Sequence, residues 1–129
     1  MEYVAIVSAL ALLQYLVFGS AVGWARGKYA VKAPAVTGHE VFERYFRVQQ
    51  NTLELLVVLL PSLWLFARYV DARWSAVLGA VYVVGRLLYF AGYVRDPARR
   101  ELGFVLSFLP IVVLVLGALA GAVVRLVGG

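Results

Sequence analysis

The chain has 129 residues, of which 64% are hydrophobic and 15% charged, with 12 Lys and Arg against 7 Asp and Glu for a net charge of +5. Soluble domains average about 45–50% apolar and about 25% charged residues, so a soluble domain of this size would be left with apolar surface it cannot bury. The absence of cysteine excludes a protein thiol nucleophile, a disulfide, a Cys-ligated zinc and an iron–sulfur cluster, and the single histidine, His39, argues against a histidine metal cluster.

In a membrane protein a basic excess reads as basic cytoplasmic loops before it reads as a nucleic-acid surface. At about 20 residues per span, four helices and short loops take up the chain and leave no room for a soluble domain. The first apolar stretch covers about residues 3–24 with one amide, Gln14, and no charge. As a helix it is roughly 33 Å long, enough to cross the hydrocarbon. Met1-Glu2-Tyr3 lacks the basic start of a signal peptide, and the apolar run is too long for one. Trp24 closes the stretch where an interfacial aromatic belongs.

A polar loop of about residues 25–40, punctuated by Pro34 and Gly38, comes next. The second helix is expected to start near Glu40 or Glu43 and to span about residues 46–69, with Pro61 kinking it inside the membrane. A turn at residues 70–73 leads to a third span, about 74–94. The charged segment 95–101 precedes a fourth, about 102–126, whose Gly117, Ala118, Ala120, Gly121 and Ala122 allow close packing in lipid. The expected fold is a single-domain, all-α membrane protein: a four-transmembrane-helix bundle.

Charge sets the orientation. Arg26, Lys28 and Lys32, with Arg44 and Arg47 close behind, fall on the same side as Arg95, Arg99 and Arg100. The opposite side carries Arg68, Arg73 and Arg125. The positive-inside rule puts the first side in the cytoplasm and both termini outside.

Polar residues within spans are the informative ones, because a charge at the bilayer centre costs about 2.5–3.5 kcal/mol on insertion scales. On helix 2, Arg47, Asn51 and Glu54 fall at i, i+4 and i+7, one face of a helix, bordered by Arg44 and Gln50. The stripe is either an ordinary amphipathic lead into the membrane or the wall of a pocket for a charged, water-soluble ligand. On helix 3, Tyr82, Arg86, Tyr89 and Tyr93 form a matching stripe at i, i+4, i+7 and i+11. It reads as aromatic packing with Arg86 paired to Glu54, as an anion-binding surface of hydroxyls and a guanidinium, or as both. Arg100 and Arg26 read equally well as topogenic charges; His39 is read as a loop residue.

Two longer patterns resemble a known family. Phe42-Glu43-Arg44-x-x-Arg47-x-Gln49-x-Asn51-x-x-Glu54 resembles the helix-2 signature of the MAPEG family, the membrane-associated proteins in eicosanoid and glutathione metabolism. Arg86-x-x-Tyr89-Phe90-x-Gly92-Tyr93 is similar to the helix-3 motif of its leukotriene C synthase and microsomal glutathione S-transferase branch. The resemblance implies a homotrimer with sites between adjacent subunits. It implies glutathione as co-substrate, no metal, and a lipophilic second substrate arriving from the bilayer. Arg47, Asn51 and Glu54 would hold glutathione, with Gln49 near them and Arg26 on a carboxylate. Tyr89 and Tyr93 would approach from the neighbouring subunit, supported by Arg86. Arg100 matches the arginine that stabilises the glutathione thiolate. Leu55 stands where the branch carries a tyrosine, and Gly27 where it carries a second arginine.

The implied activity is glutathione conjugation, or glutathione-dependent peroxide reduction, of a lipophilic electrophile. A bacterial inner membrane is the expected setting, with the site facing the cytoplasm. Two alternatives stand beside it. One is a non-enzymatic lipid- or partner-binding member of the same family. The other is a small four-helix multidrug exporter, whose essential acid lies in helix 1, where this chain has only Glu2.

Overall fold

The structure, a computed structural model, describes residues 1–129. Four helices follow in order: α1, Glu2–Tyr29; α2, Glu40–Tyr69; α3, Ala72–Arg95; and α4, Glu101–Gly128, preceded by a 3-10 turn, Pro97–Arg100. All four are long and apolar enough to cross a membrane, and only 33% of each apolar window is buried within the chain. Leu16 on α1, Val57 on α2, Val84 on α3 and Leu119 on α4 all point outward. Water would penalise apolar surface on every helix; lipid does not. The chain is an integral, multi-pass membrane protein with an all-helical fold.

The helix ends follow from local chemistry. Ala30 closes α1 in the left-handed region at φ 57°. His39 caps α2, its Nδ1 accepting from the Val41 N–H at 3.1 Å, while its ring stacks on Tyr29 at 4.2 Å. Asp71 caps α3 by accepting from the N–H groups of Arg73 and Trp74 at 2.7 and 3.1 Å. Asp96 opens the 3-10 turn, with Pro97 behind it and the Ala98 N–H donating to its carboxylate. Arg44, paired with Glu40 at 3.0 Å, also donates to the Val94 and Arg95 carbonyls at the end of α3. A cation there complements the negative end of the helix dipole. Helix α2 runs unbroken past Pro61, and α4 past Pro110.

The core divides along the membrane normal. The larger part joins Val4 and Ala11 of α1, Leu59 and Leu63 of α2, Tyr82 of α3 and Leu114 of α4. A smaller aromatic part, Phe18, Val48, Tyr89 and Tyr93, lies nearer the end that carries the 30–39 loop and the 3-10 turn. Between these parts α3 and α4 touch backbone to backbone. A β-carbon on Gly85 would lie 2.6 Å from the Ser107 nitrogen, and one on Gly103 would collide with the Tyr89 backbone. Glycine is therefore needed at both crossings, as small residues are wherever membrane helices pack closely.

Gly103→Ala should cost about 1–3 kcal/mol by forcing α4 away from Tyr89. Gly23→Ala, inside α1 where a β-carbon meets nothing within 4 Å, should leave stability unchanged or raise it by up to about 1 kcal/mol. Thermal unfolding of the two variants in detergent measures the difference.

Candidate active site

The first turns of α2, the end of α3, the 3-10 turn and the loop before α2 enclose a cavity of about 530 Å³. Arg47, Asn51 and Glu54 line it from α2, Tyr89 and Tyr93 from α3, and Arg100 from the turn. Val36, Thr37, Glu43, Phe46 and Gln50 complete the wall. A second cavity of about 240 Å³ shares Asn51, Tyr89 and Arg100 and adds Glu101 and Phe104 at the start of α4. Loop residues 36 and 37 and Arg100 bound the same cavity, so the two basic connections lie at one end of the bundle.

The α2 residues converge because they occupy one stripe of the helix. Arg47, Asn51 and Glu54 are spaced four and three apart, on consecutive turns of one face. Arg100 is brought in by the turn: Pro97 and the Asp96 cap reverse the chain tightly, and the Arg100 guanidinium carbon lies 5.8 Å from the centre of the Tyr93 ring. The cavity carries two cations, Arg47 and Arg100, and two carboxylates, Glu43 and Glu54. None of the four forms an ion pair within the chain, whose salt bridges are Met1–Glu2 and Glu40–Arg44. Such a wall suits a ligand that carries both signs of charge.

Three of the residues singled out in the sequence lie elsewhere in this chain. Gln49 is two residues from both Arg47 and Asn51, about 200° round the helix, and its Nε2 lies against Gly19 of α1. Arg26 donates to the Ala35 carbonyl at 2.7 Å and sits over the Phe42 ring at 4.9 Å. Arg86 is behind the wall, fully buried, 4.1 Å from the centre of the Tyr89 ring. The expected Arg86–Glu54 pair does not form. Arg86 donates instead to Asn51 and Thr52 of α2 and Ser107 of α4, while Glu54 is exposed. The helical stripe of Arg86 faces inward between α2 and α4, and Glu54 lies a turn away on the open side. Tyr89 and Tyr93 share the cavity with Arg47 and Asn51 of the same chain.

Thr52 and Ser107, which hold Arg86, do not stand out in the sequence. A hydroxyl in an apolar run is a weak signal, although Ser107 does lie seven residues, two helical turns, beyond Arg100. His39, a loop residue by its sequence context, is the α2 cap.

The fold and the cavity together define a four-span membrane protein with a polar, mixed-charge pocket at the end of its basic loops. Residues 4–120 match the family model of the MAPEG family. An uncharacterized protein of Synechocystis sp. is 52% identical over 115 residues, 89% of this chain and 84% of its own length. Human microsomal glutathione S-transferase 2 is 45% identical over 103 residues, 80% of this chain and 70% of its own. Bovine leukotriene C4 synthase is 34% identical over 102 residues, 77% of this chain and 68% of its own. The chain belongs to the MAPEG family.

Arg86→Ala should destabilise the protein by on the order of 3–5 kcal/mol, since it opens a cavity and strips buried acceptors on two helices of their donor. Arg47→Ala and Glu54→Ala, both on exposed side chains, should shift stability by less than about 0.5 kcal/mol. Thermal unfolding of the three variants separates the buried support from the open wall.

Proposed function

We propose that the protein is a membrane glutathione transferase. It activates the glutathione thiolate for conjugation to a lipophilic electrophile or for reduction of a lipophilic peroxide. The observation that carries this reading is the convergence of Arg47, Asn51, Glu54, Tyr89, Tyr93 and Arg100 on one cavity. Glutathione bears two carboxylates, an ammonium and a thiol. The wall has an arginine for a carboxylate in Arg47 and a carboxylate for the ammonium in Glu54. Arg100, beside Tyr93, is left to face the sulfur. The relatives named as glutathione transferase and leukotriene C4 synthase support the same assignment.

A free thiol has a pKa of about 8.5, so only a few per cent is thiolate at pH 7. A guanidinium in hydrogen-bonding reach favours the anion, and each unit of lowering corresponds to about 1.36 kcal/mol. Arg100 needs no general base beside it to do this. With an epoxide, sulfur bonds to carbon, the carbon–oxygen bond breaks and the oxygen takes up a proton. With a hydroperoxide, sulfur bonds to the terminal oxygen, the oxygen–oxygen bond breaks and the leaving alkoxide takes up a proton; a second glutathione then reduces the sulfenic acid so formed, giving the disulfide and water.

An apolar groove of about 260 Å³ between α2 and α4 is lined by Leu55, Val58, Phe108, Ile111, Val112, Val115 and Leu116. Leu55 follows Glu54 directly, so the groove begins where the polar wall ends. A lipophilic substrate arriving from the bilayer fits this arrangement. Arg26 and Gln49, on the opposite side of α2, would reach glutathione only from a second copy of the chain. That supports an assembly with sites between subunits, the homotrimer that the family resemblance implies. The site would open at the cytoplasmic face, following the basic loops, and a bacterial inner membrane is the proposed location.

The test is the absorbance of the thiolate on titrating glutathione into the detergent-purified protein. Wild type should raise the thiolate fraction at pH 7 well above that of free glutathione. Arg100→Ala should bring it back and lower kcat/KM by about tenfold or more. Equal thiolate fractions in the two proteins would remove Arg100 from the proposed role.

A further inference from the structure

The least ordinary side chain in the molecule is Arg86: 0% exposed, inside a membrane bundle, with no carboxylate beside it. Its Nη1 donates to Asn51 Oδ1 at 2.8 Å and to Thr52 Oγ1 at 3.2 Å, and its Nη2 donates to Ser107 Oγ at 2.8 Å. Its Nε has no partner in the chain. A guanidinium has five N–H donors and no acceptor, so every group facing it must accept.

The two hydroxyls are already fixed as acceptors. The Thr52 hydroxyl donates its one proton to the Val48 carbonyl at 2.7 Å. The Ser107 hydroxyl donates to the Gly103 carbonyl at 2.8 Å, with the Phe104 carbonyl also near at 3.0 Å. Each therefore turns a lone pair to Arg86. Asn51 has a choice, because its amide can present oxygen or nitrogen. Opposite a donor-only group it must present Oδ1. Its Nδ2, on the far side of the planar amide, makes no hydrogen bond within the chain, and Asn51 lines the cavity.

We infer that Arg86, held by Ser107, is a positioning residue that fixes Asn51 as a pure donor toward the bound ligand. At this point the cavity selects an acceptor, a carboxylate or peptide carbonyl oxygen, and rejects an ammonium or an amide N–H. The ammonium of glutathione is thereby directed to the carboxylates of the wall. Ser107 rides on α4 two turns beyond Arg100, so the same contact ties the helix that follows Arg100 to the α2 wall. This inference rests on the glutathione reading and adds to it the polarity of one contact.

Asn51 is the only asparagine in the chain, which makes the test direct. Protein labelled with ¹⁵N-asparagine in detergent micelles gives one side-chain amide pair. Glutathione should shift that pair in a saturable way, with the same midpoint as binding measured by calorimetry. Asn51→Asp keeps an acceptor for Arg86 and removes the donor. It should unfold at or above the wild-type temperature while glutathione affinity falls by about tenfold or more. Ser107→Ala should raise the KM for glutathione severalfold with kcat nearly unchanged. Binding of glutathione that leaves the Asn51 amide signal unmoved, or wild-type affinity in Asn51→Asp, would overturn the inference while leaving the transferase reading intact. No glutathione binding by wild type would overturn both.

Discussion

A buried guanidinium that must find neutral acceptors is the constraint on which the rest of this structure depends. Burying an unpaired charge is costly unless several hydrogen bonds replace water. Arg86 meets that demand by drawing on α2 and α4 at once, through Asn51, Thr52 and Ser107. The demand accounts for Thr52 and Ser107, two hydroxyls in otherwise apolar stretches. It also explains why α3 and α4 cross on glycine: Gly85 lies against the Ser107 backbone, and Gly103 against Tyr89. The helices that carry the cavity wall are thus held by one polar centre, and the apolar core beyond it fixes the remainder of the bundle.

Much of this was legible in the chain. Apolar runs of span length gave four helices, since lipid imposes a simple length rule. The helical stripe of Arg47, Asn51 and Glu54 was visible because a period of 3.6 places them on one face. What lay hidden was the facing of helix 3. Its stripe contains both wall residues, Tyr89 and Tyr93, and a wholly interior one, Arg86. Periodicity assigns a face and is silent on which neighbour the face meets. The expected pairing of Arg86 with Glu54 is absent for that reason. Arg26 and Gln49 fall on the α1 side of α2, a separation that a linear motif running through Gln49 conceals.

The lack of cysteine takes on a narrower meaning with the site in view. It excludes a thiol of the protein, whereas the proposed nucleophile comes with glutathione. The net charge of +5 likewise divides. Arg44 closes the end of α3, Arg86 binds the bundle together, and Arg47 and Arg100 stand free in a cavity that also holds two carboxylates. The boundary between Glu54 and Leu55 separates this charged wall from the apolar groove on α2 and α4. A polar reactant and a lipophilic one can therefore meet at a single line on the protein surface.

Glutathione is the proposed ligand of this mixed-charge cavity. Calorimetric titration of glutathione onto the detergent-purified wild-type protein tests this assignment most directly. Saturable binding at millimolar concentration or below is expected, with one glutathione for each cavity. Absence of binding at millimolar glutathione, by protein whose helical content and thermal unfolding show it to be folded, would contradict it.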